Sequence, residues 1–394
     1  MIRNTRGTLV RPEPLPDSAS WPVATPLSPS VVYASETPDM LDDQYEGRLT
    51  GYTYSREGHP NADQVAALID RMEGCEGGVL TGSGMAAVSA VLMGLMQAGD
   101  HVVGGNQLYG RSLRLMAEDL PRLGIATTLA DPTDIDAMRD ALRPETRLVL
   151  IEIVSNPTLR VADLEGIAAL CQERGIILAV DNTFTTPREV KPFDYGADIV
   201  IQSLTKLLAG HSDVMLGWVG ARDPQLSERL RVFAVTAGLT PSPFDSWLAE
   251  RGLLTFDLRY ERATATAAAL ADHLAALPGV ARVIYPLRDD HPDQDRAKTL
   301  LEQGGNMVSF ELSGGRAAAN AFARGAQGLS FAPTLGDVGT TLSHPASSSH
   351  RAMDAATREG LGMSEGFFRV SVGLEDPDAL FDVFTQAVAS ASKA

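Results

Sequence analysis

The amino-acid sequence predicts an α/β protein with an N-terminal arm, a large domain built on a mostly parallel sheet, and a small α+β domain. The first segment is rich in Pro, Ser, Thr and Tyr and shows little periodicity. The middle of the chain alternates short apolar runs with helical segments, as βα units do. A different pattern follows, and the length of 394 residues is that of two or three domains. We therefore predict an arm at 1–60, a large domain at 61–255 and a small domain at 256–394.

The arm is expected to pack against protein rather than to be disordered. Disordered tails are usually poor in aromatic residues. This segment instead contains Trp21, Tyr33, Tyr45, Tyr52 and Tyr54.

Two helices and several buried strands are predicted in the large domain. Apolar residues recur at helical spacing from Asn61 to Gly74, and a second helical segment runs from Ser83, its predicted cap, to Met96. Continuous apolar runs follow, which are typical of parallel strands buried on both faces. They are His101–Val103, Leu148–Val154, Ile176–Val180 and Asp198–Ser203, with a helical stretch at 164–174.

The small domain is predicted to begin with an alanine-rich helix, Arg262–Leu277. Two later segments, Val283–Tyr285 and Met307–Leu312, alternate between apolar and polar residues. That alternation predicts a half-exposed antiparallel sheet.

The composition argues against several kinds of partner. There are 50 acidic and 33 basic residues, a net charge of −17, so neither nucleic acid nor an anionic membrane is expected. Cys75 and Cys171 stand outside any CxxC or CxxH spacing, which predicts free thiols and no metal site. No apolar run reaches the roughly 18 residues that span a membrane, and the polar N-terminus is unlike a secretory signal. We expect a soluble, cytoplasmic protein.

Asp181 and Lys206 are the residues that point to chemistry. Asp181 ends one predicted strand, and Lys206 follows the next. Ligands of an open parallel sheet bind beyond the carboxyl ends of its strands, so both side chains are expected in one crevice. A carboxylate and an amine in that arrangement suit pyridoxal phosphate. The carboxylate keeps the pyridine nitrogen protonated, and the amine binds the aldehyde and later moves protons.

A phosphate site is predicted beside these two residues. The segment TGSGM, 81–85, offers backbone N–H groups at a helix start, where the helix dipole favours an anion. Ser203 and Thr205 add hydroxyl groups near Lys206. The same glycines also satisfy the GxGxxA fingerprint of dinucleotide-binding proteins. The next strand segment, 100–106, however ends in Gly-Gly-Asn, where that fingerprint needs an acidic residue.

Nine motifs, in order along the chain, resemble those of the Cys/Met metabolism family of pyridoxal-phosphate enzymes, which includes cystathionine γ-synthase, cystathionine γ-lyase and methionine γ-lyase. The motifs are YTYSREGHP (52–60), GSGMAA (82–87), LYGRS (108–112), SNPT (155–158), VDNTF (180–184), TKLLAGHSD (205–213), SPFDSWLAERGLLT (242–255), TLGDVGTTLSHPAS (334–347) and RVSVGLED (369–376). The resemblance implies the aspartate-aminotransferase type of fold, fold type I, with pyridoxal 5'-phosphate as cofactor.

The resemblance also implies roles for the matching residues. Lys206 would bind the cofactor covalently, Asp181 would pair with the pyridine nitrogen, and Tyr109 would stack on the ring and assist as an acid or base. The phosphate would be held by Gly84, Met85, Ser203 and Thr205 of one chain and by Tyr54 and Arg56 of a neighbouring subunit. Such sharing implies a homo-oligomer, at least a dimer, and the family resemblance implies a homotetramer built from dimers.

The substrate site is predicted from the same motifs, with some departures. Arg369 would bind the α-carboxylate through its guanidinium fork, and Asn156 would lie near the ring. Thr334 stands where relatives usually carry serine, and Gly339 where cystathionine enzymes usually carry glutamate. Arg111 replaces the cysteine of methionine γ-lyases; it would either favour an anionic or neutral γ-substituent or face solvent. In the arm, His-Pro-Asn at 59–61 replaces the Asn-Pro-Thr common in relatives.

The predicted reaction is γ-elimination on a small amino-acid substrate that contains sulfur, such as cystathionine, methionine or homocysteine. The products would be a 2-oxo acid, ammonia and a released nucleophile. One alternative is γ-replacement, as in cystathionine γ-synthase or O-acylhomoserine sulfhydrylase; another is γ-elimination on a substrate without sulfur, such as canavanine. An aminotransferase would leave the arm and the GHSD stretch unexplained. A scaffold without activity would be expected to have lost cofactor contacts, and the predicted ones are all present.

Overall fold

The computed structural model describes residues 18–351 and 353–393, which form two β-sheets surrounded by helices. The helices are α1 (Pro38–Tyr45), α2 (Pro60–Glu73), α3 (Gly84–Leu95), α4 (Gly110–Arg114), α5 (Leu120–Arg122), α6 (Ile135–Asp140), α7 (Leu164–Arg174), α8 (Thr186–Glu189), α9 (Pro224–Thr236), α10 (Pro243–Leu253), α11 (Phe256–Ala275), α12 (Gln294–Leu300), α13 (Gly315–Gly325), α14 (Ala355–Gly360) and α15 (Pro377–Ala391). None of the helices in these two ranges is long and apolar enough to cross a membrane.

The strands divide between the two sheets. The large sheet contains β1 (Val79–Thr81), β2 (His101–Gly105), β3 (Ala126–Ala130), β4 (Thr146–Glu152), β5 (Ile177–Asp181), β6 (Ile199–Gln202) and β7 (Gly217–Ala221). The small sheet contains β8 (Val280–Ile284), β9 (Met307–Leu312), β10 (Ser330–Phe331), β11 (Thr341–Ser343) and β12 (Phe367–Ser371).

The large sheet confirms the prediction of a mostly parallel arrangement. Its order is β1-β7-β6-β5-β4-β2-β3, and β3, β2, β4, β5 and β6 are parallel to one another, while β7 is antiparallel to both of its neighbours. Core side chains cover both faces: Val149 and Ile151 of β4 pack on one side, and Leu148 and Leu150 on the other. Burial on both faces explains why continuous apolar runs, rather than alternation, mark these strands.

The small sheet corrects the prediction of a half-exposed strand at 307–312. In the order β10-β11-β12-β9-β8, strand β9 lies between two neighbours and is nearly all buried. Val308 and Phe310 pack into the small-domain core. On the opposite face, Met307 joins the core of the large domain, and the Ser309 hydroxyl donates to the Pro157 carbonyl oxygen at 2.6 Å. The alternation therefore separates two packed faces, not a packed face and a solvated one.

Helix α11 connects the two cores and begins six residues earlier than the sequence pattern predicts. Its first turns place Phe256 and Tyr260 in the large-domain core. Further along, Leu270 and Leu274 lie in the small-domain core. The buried face of the helix thus packs first on the large domain and then on the small one. The alanine-rich pattern predicted only the part that begins at Arg262.

The described part of the arm, from residue 18, is largely exposed and is fastened to its own chain at residues 25–28 and at Tyr52, whose hydroxyl donates to the Asp63 Oδ2 at 2.7 Å. The indole Nε1 of Trp247 in α10 donates to the Thr25 carbonyl oxygen at 2.9 Å. Asn61 accepts from the Ser28 N–H and donates to the Pro26 carbonyl oxygen, each at 2.9 Å. Helix α1 follows residues 25–28 along the arm; it has no buried residue, and the sequence did not predict it.

Helix α2 starts at a histidine cap. His59 has extended backbone geometry, and its Nδ1 accepts from the Ala62 N–H at 3.1 Å. Its Nε2 lies 3.4 Å from the Pro241 carbonyl oxygen, so the tautomer that satisfies both contacts carries its hydrogen on Nε2. The His-Pro-Asn sequence at 59–61 therefore serves local structure: the histidine caps helix α2, and Asn61 fastens the arm.

We expect His59→Ala to lower the free energy of unfolding by about 1 kcal/mol, because it removes the cap acceptor, and His59→Asn to restore most of that loss. Burial lowers the pKa of His59, while the Pro241 contact and Asp63 raise it by less. The folded state therefore favours the neutral ring. The contribution of the neutral His59 ring to folding stability is fully present above the unfolded pKa of about 6.5. It is lost as the pH falls from that value towards the lower pKa of the folded state.

Denaturant unfolding at neutral pH and at about pH 5, bracketing that unfolded pKa, measures both effects. The Asn variant should lack the acid-dependent loss that His59 contributes. Equal stability of the Ala and Asn variants at neutral pH would contradict the capping role.

Candidate active site

The crevice at the carboxyl edge of the large sheet contains the two residues singled out from the sequence. Asp181 is the last residue of β5, and Lys206 stands in the turn after β6. Strands β5 and β6 are parallel, so both strands end at this edge. The structure therefore brings Asp181 and Lys206 to the same edge, as expected.

Lys206 is held by the backbone of its own turn and by a buried arginine. The Lys206 N–H donates to the Ser203 carbonyl oxygen at 3.2 Å, and the Gly210 N–H donates to the Lys206 carbonyl oxygen at 2.9 Å. Arg259 of α11 donates to the carbonyl oxygens of Leu207 and Leu208 at 2.9 and 2.8 Å. Burial lowers the pKa of the Lys206 amine, which favours the neutral form that a nucleophile or base needs.

Asp181 has a second carboxylate beside it. Glu152 ends β4 and is the register partner of Asp181 in the parallel ladder. The Asp181 Oδ1 accepts from the Thr183 N–H at 3.1 Å, and the Glu152 Oε1 accepts from the Tyr109 N–H at 2.6 Å. Burial raises the pKa of both carboxyl groups, and the proximity of Asp181 raises that of Glu152 further.

The predicted phosphate site is formed by two segments that touch. A Cβ on Gly84 would lie 2.6 Å from the Ser203 Cβ and 2.8 Å from its Oγ, so only glycine permits this approach. Ser83 caps α3 by accepting from the Ala86 N–H at 3.1 Å. The N–H groups of Gly84 and Met85 belong to the first turn, where a helix offers no internal partner. These donors and the Ser203 hydroxyl are the groups that the prediction assigns to the phosphate, and they are called the anion cradle below.

Thr205 is more constrained than the sequence suggested. Its hydroxyl donates to the Leu216 carbonyl oxygen at 3.2 Å and accepts from the Leu216 N–H at 3.0 Å. A contribution to the phosphate site would require that this hydrogen turn away from Leu216.

Tyr109 precedes α4 and is 44% exposed, while its backbone N–H donates to Glu152. A Cβ on Gly110 would lie 2.8 Å from the Ser349 carbonyl oxygen, so a small-domain segment touches the same turn. Arg111, the next residue, is exposed. The structure thus fixes the Tyr109 backbone and leaves its ring accessible.

Arg369 of β12 is buried without a carboxylate partner among the described residues. Its Nη1 donates to the Asn156 Oδ1 at 2.7 Å and its Nη2 to the Thr334 carbonyl oxygen at 2.5 Å. The Nε is buried and bonds to no described atom. Burial lowers its pKa to about 10, so it remains charged at neutral pH. The structure brings Asn156, Thr334 and Arg369 together.

Tyr54 and Arg56 stand apart from this group. Tyr54 forms an isolated β-bridge with Val32, and the Arg56 guanidinium carbon lies 5.2 Å from the centre of the Tyr54 ring. The Arg56 Nη2 also lies 3.5 Å from the Glu57 carboxylate. Within the described chain, neither side chain bonds to the anion cradle.

Gly339 has two acidic neighbours. A Cβ at this position would lie 3.4 Å from the Asp337 Oδ1 and 3.8 Å from the Glu375 Oε1, both ordinary contacts. Asp337 accepts from the Gly339 N–H and from the Ser212 hydroxyl, and Glu375 accepts from the N–H and hydroxyl of Thr340. The position can therefore accept a side chain.

Sequence reasoning missed Glu152, Arg259 and Glu73. Glu152 stands inside the apolar run 148–154 and not at its end, so the rule that found Asp181 passed over it, although β4 ends at this residue. Glu73 lies four residues after Ile69, on the buried face of α2, and accepts from Gln202 and Asn182 at 2.6 and 3.2 Å. Arg259 gave no signal, because its carbonyl partners are remote in sequence.

The residues of the crevice fit the predicted cofactor and an amino-acid substrate. The cradle that only Gly84 permits offers N–H donors to a phosphate. Asp181 offers a carboxylate to a ring nitrogen, and Lys206 an amine to an aldehyde. The guanidinium of Arg369, which pairs with no carboxylate among the described residues and whose Nε bonds to none of their atoms, suits the carboxylate of an amino acid. Among residues 18–351 and 353–393, no cluster of His, Cys, Asp or Glu could hold a metal ion.

Known proteins resemble this chain along most of its length. Cystathionine γ-lyase of Bacillus subtilis is 38% identical over 342 residues, which cover 87% of this chain and 90% of that protein. L-methionine γ-lyase of Fusobacterium nucleatum subsp. polymorphum is 35% identical over 357 residues, 90% of each chain. The crystal structure of cystathionine γ-synthase from Xanthomonas oryzae pv. oryzae, in complex with aminoacrylate and cysteine, superposes with a TM-score of 0.90 at 37% identity, covering 96% of this chain and 95% of that one.

The structural likeness confirms the fold type I architecture, and residues 7–389 match the sequence model of a single family. The chain belongs to that family, the Cys/Met metabolism PLP-dependent enzymes, and is a pyridoxal-phosphate-dependent enzyme.

Proposed function

We propose that the enzyme catalyses γ-elimination on a sulfur-containing or related γ-substituted amino acid. The observation that carries this proposal is the buried charge of Arg369, which has no carboxylate partner in the described residues. Its field helps to lower the pKa of Lys206. One segment touches both groups: the Arg369 Nη2 donates to the Thr334 carbonyl oxygen, and a Cβ on Gly336 would lie 2.4 Å from the nitrogen of Leu207, the residue after the lysine. A substrate carboxylate on Arg369 would therefore bring the α-carbon within reach of the lysine. The cystathionine and methionine γ-lyases among the similar proteins support this reaction.

Each residue of the crevice has a defined task in this proposal. Bound pyridoxal phosphate supplies an aldehyde for the substrate nitrogen and a ring that withdraws electrons from the α-carbon. Arg369 fixes the α-carboxylate, and Asp181 keeps the ring nitrogen protonated. Lys206 would hold the cofactor through its amine. Once freed by the substrate amine, it would take the Cα proton, pass that proton to the carbon of the former aldehyde and then take the Cβ proton, and the γ-substituent would leave with the electron pair of its bond. Tyr109 stacks on the ring and assists as an acid or base.

A second candidate is γ-replacement, in which a thiol takes the place of the leaving group. The close structural match to a cystathionine γ-synthase favours it. A product assay on cystathionine, methionine, canavanine and O-acylhomoserine with cysteine distinguishes these reactions. Release of a 2-oxo acid and ammonia supports γ-elimination, and canavanine as the preferred substrate would identify a leaving group without sulfur. Faster formation of cystathionine than of 2-oxo acid would identify γ-replacement.

We also propose that the active unit is a homotetramer built from dimers that share active sites. Tyr54 and Arg56 make no bond to the anion cradle of their own chain. The arm before them exposes apolar side chains, Trp21 (84%) and Val32 (65%), whose burial would favour association. A neighbouring subunit would complete the phosphate site with these two residues, as the family resemblance implies.

Lys206→Ala should abolish the release of 2-oxo acid and ammonia, because no other lysine of the described residues lies in the turn after β6. The same variant should lose the adduct that borohydride traps between the wild-type protein and its cofactor. Lys298→Ala is the matched control, since that lysine is exposed and paired with Asp289. A trapped adduct that persists in Lys206→Ala would assign the covalent link to another of the four lysines in the chain.

Gly339→Glu should raise the specificity constant for cystathionine relative to methionine by about tenfold or more. A glutamate there could accept a charge-assisted hydrogen bond from the distal ammonium of cystathionine, worth about 1.5–3 kcal/mol. Gly339→Gln is the control, with the same shape and no charge, and should change the ratio little.

Wild-type protein should prefer cystathionine over methionine by less than about a hundredfold in specificity constant, the upper end of what one such bond provides. A larger preference would show that another group, such as Asp337 or Glu375, already binds the distal ammonium.

Mixing subunits tests the shared site. Lys206→Ala is combined with an Arg56→Ala variant after reversible dissociation. If the arm acts across the dimer, a mixed dimer has one site with both defects and one with neither, and random pairing gives about a quarter of wild-type activity. An arm that serves its own chain leaves one defect in every site. No recovery, with exchange shown by a tag, would refute the shared site.

A further inference from the structure

Glu152 and Asp181 form a pair of carboxyl groups at the floor of the crevice. They end β4 and β5 and are register partners, so their side chains project from the same face of the sheet. Each opens into the crevice over a minor part of its surface and is otherwise enclosed by protein. Neighbouring strands lie about 4.8 Å apart, and two carboxylates on adjacent strands repel each other wherever water is largely excluded.

No basic side chain offsets the pair. Among the described residues, no lysine or arginine lies within salt-bridge distance of either carboxylate. The other titratable groups around the crevice are Lys206 after β6, Tyr109 before α4 and Arg369 in β12, and none donates a side-chain hydrogen bond to the pair. The hydrogen bonds that the pair accepts come from the Tyr109 N–H and from the N–H and hydroxyl of Thr183, groups that carry no net charge.

Glu152 also has a plain structural task, because it accepts from the Tyr109 backbone at 2.6 Å. A glutamine would do that equally well, since its carbonyl oxygen is also an acceptor. The structural task therefore does not require the charge. The charge matters only when a cation arrives beside Asp181, and the protonated ring nitrogen of the cofactor is such a cation.

We propose that Glu152 and Asp181 share one proton in the cofactor-free enzyme, and that binding of the protonated cofactor ring expels this proton to solvent. The inference rests on the proposed contact between Asp181 and the ring nitrogen. Before binding, the pair carries one negative charge; after binding, two carboxylates face one pyridinium, and the released proton goes to the buffer. Glu152 is then a positioning residue that acts through Asp181 and Tyr109.

Calorimetric titration of the cofactor-free enzyme with pyridoxine 5'-phosphate tests the proposal. This probe keeps the ring nitrogen and phosphate but has no aldehyde, so Lys206 cannot react with it. Titrations in buffers of different ionisation enthalpy give the number of protons released per site. Wild type should release about one proton more than Glu152→Gln, because the variant has only one carboxyl group left to titrate. Glu173→Gln, an exposed carboxylate on α7, is the control and should match wild type.

The outcomes separate the inference from the proposed function. A wild type that does not bind the probe would contradict the proposed site, whereas equal proton release in wild type and Glu152→Gln would overturn only the shared proton. A folded Glu152→Gln that no longer binds would also overturn it, because Asp181 alone should hold the ring. Difference infrared spectra of the wild type need no variant. Loss of a protonated-carboxyl band on binding is expected, and its absence would count against the proposal.

Discussion

The parallel alignment of β4, β5 and β6 decides where the chemistry of this protein can take place. These strands are packed on both faces, so an ionisable side chain can first reach the crevice where a strand ends. Glu152 and Asp181 occupy two of those ends, and Lys206 follows the third. Ionisable groups removed from water cost free energy unless they bond to each other or to a ligand. Backbone register thus fixes the spacing of the carboxylates, and burial sets their proton affinity.

The turn that carries Lys206 is where the two domains meet, so the position of the proposed catalytic lysine and the packing of the domains depend on the same contacts. Arg259 of α11 binds carbonyl oxygens after Lys206. From the small domain, Gly336 lies so close that a Cβ would be 2.4 Å from the Leu207 nitrogen, and the Val338 N–H donates to the Gly210 carbonyl oxygen at 2.8 Å. The segment that begins at Thr334, which we propose binds the substrate, therefore packs directly against the turn that we propose binds the cofactor.

The sequence predicts features of this protein that depend on local pattern. The buried parallel strands, the helix at Ser83 and the placement of Asp181 and Lys206 at one edge all follow from periodicity and strand ends. Arg259 could not be found in this way, because its bonds join residues about fifty positions apart. Strand β9 was misjudged for a related reason: its second face packs on another domain, and alternation alone cannot distinguish that from solvent. The order of the motifs predicts the family and not the substrate, because in our proposal substrate preference depends on the few side chains around Gly339.

Contacts at both ends of helix α2 fix the number of residues in the helix. They restrict its amino-acid composition less. At the first end His59 is held beside Pro241, and at the other Glu73 accepts from Gln202 and Asn182 beneath the crevice. One inserted residue would turn the last part of this 14-residue helix by about 100° and move Glu73 off its partners. Relatives that retain the contacts at both ends can therefore vary the exposed face of the helix freely. Insertions and deletions should be confined to the loops on either side.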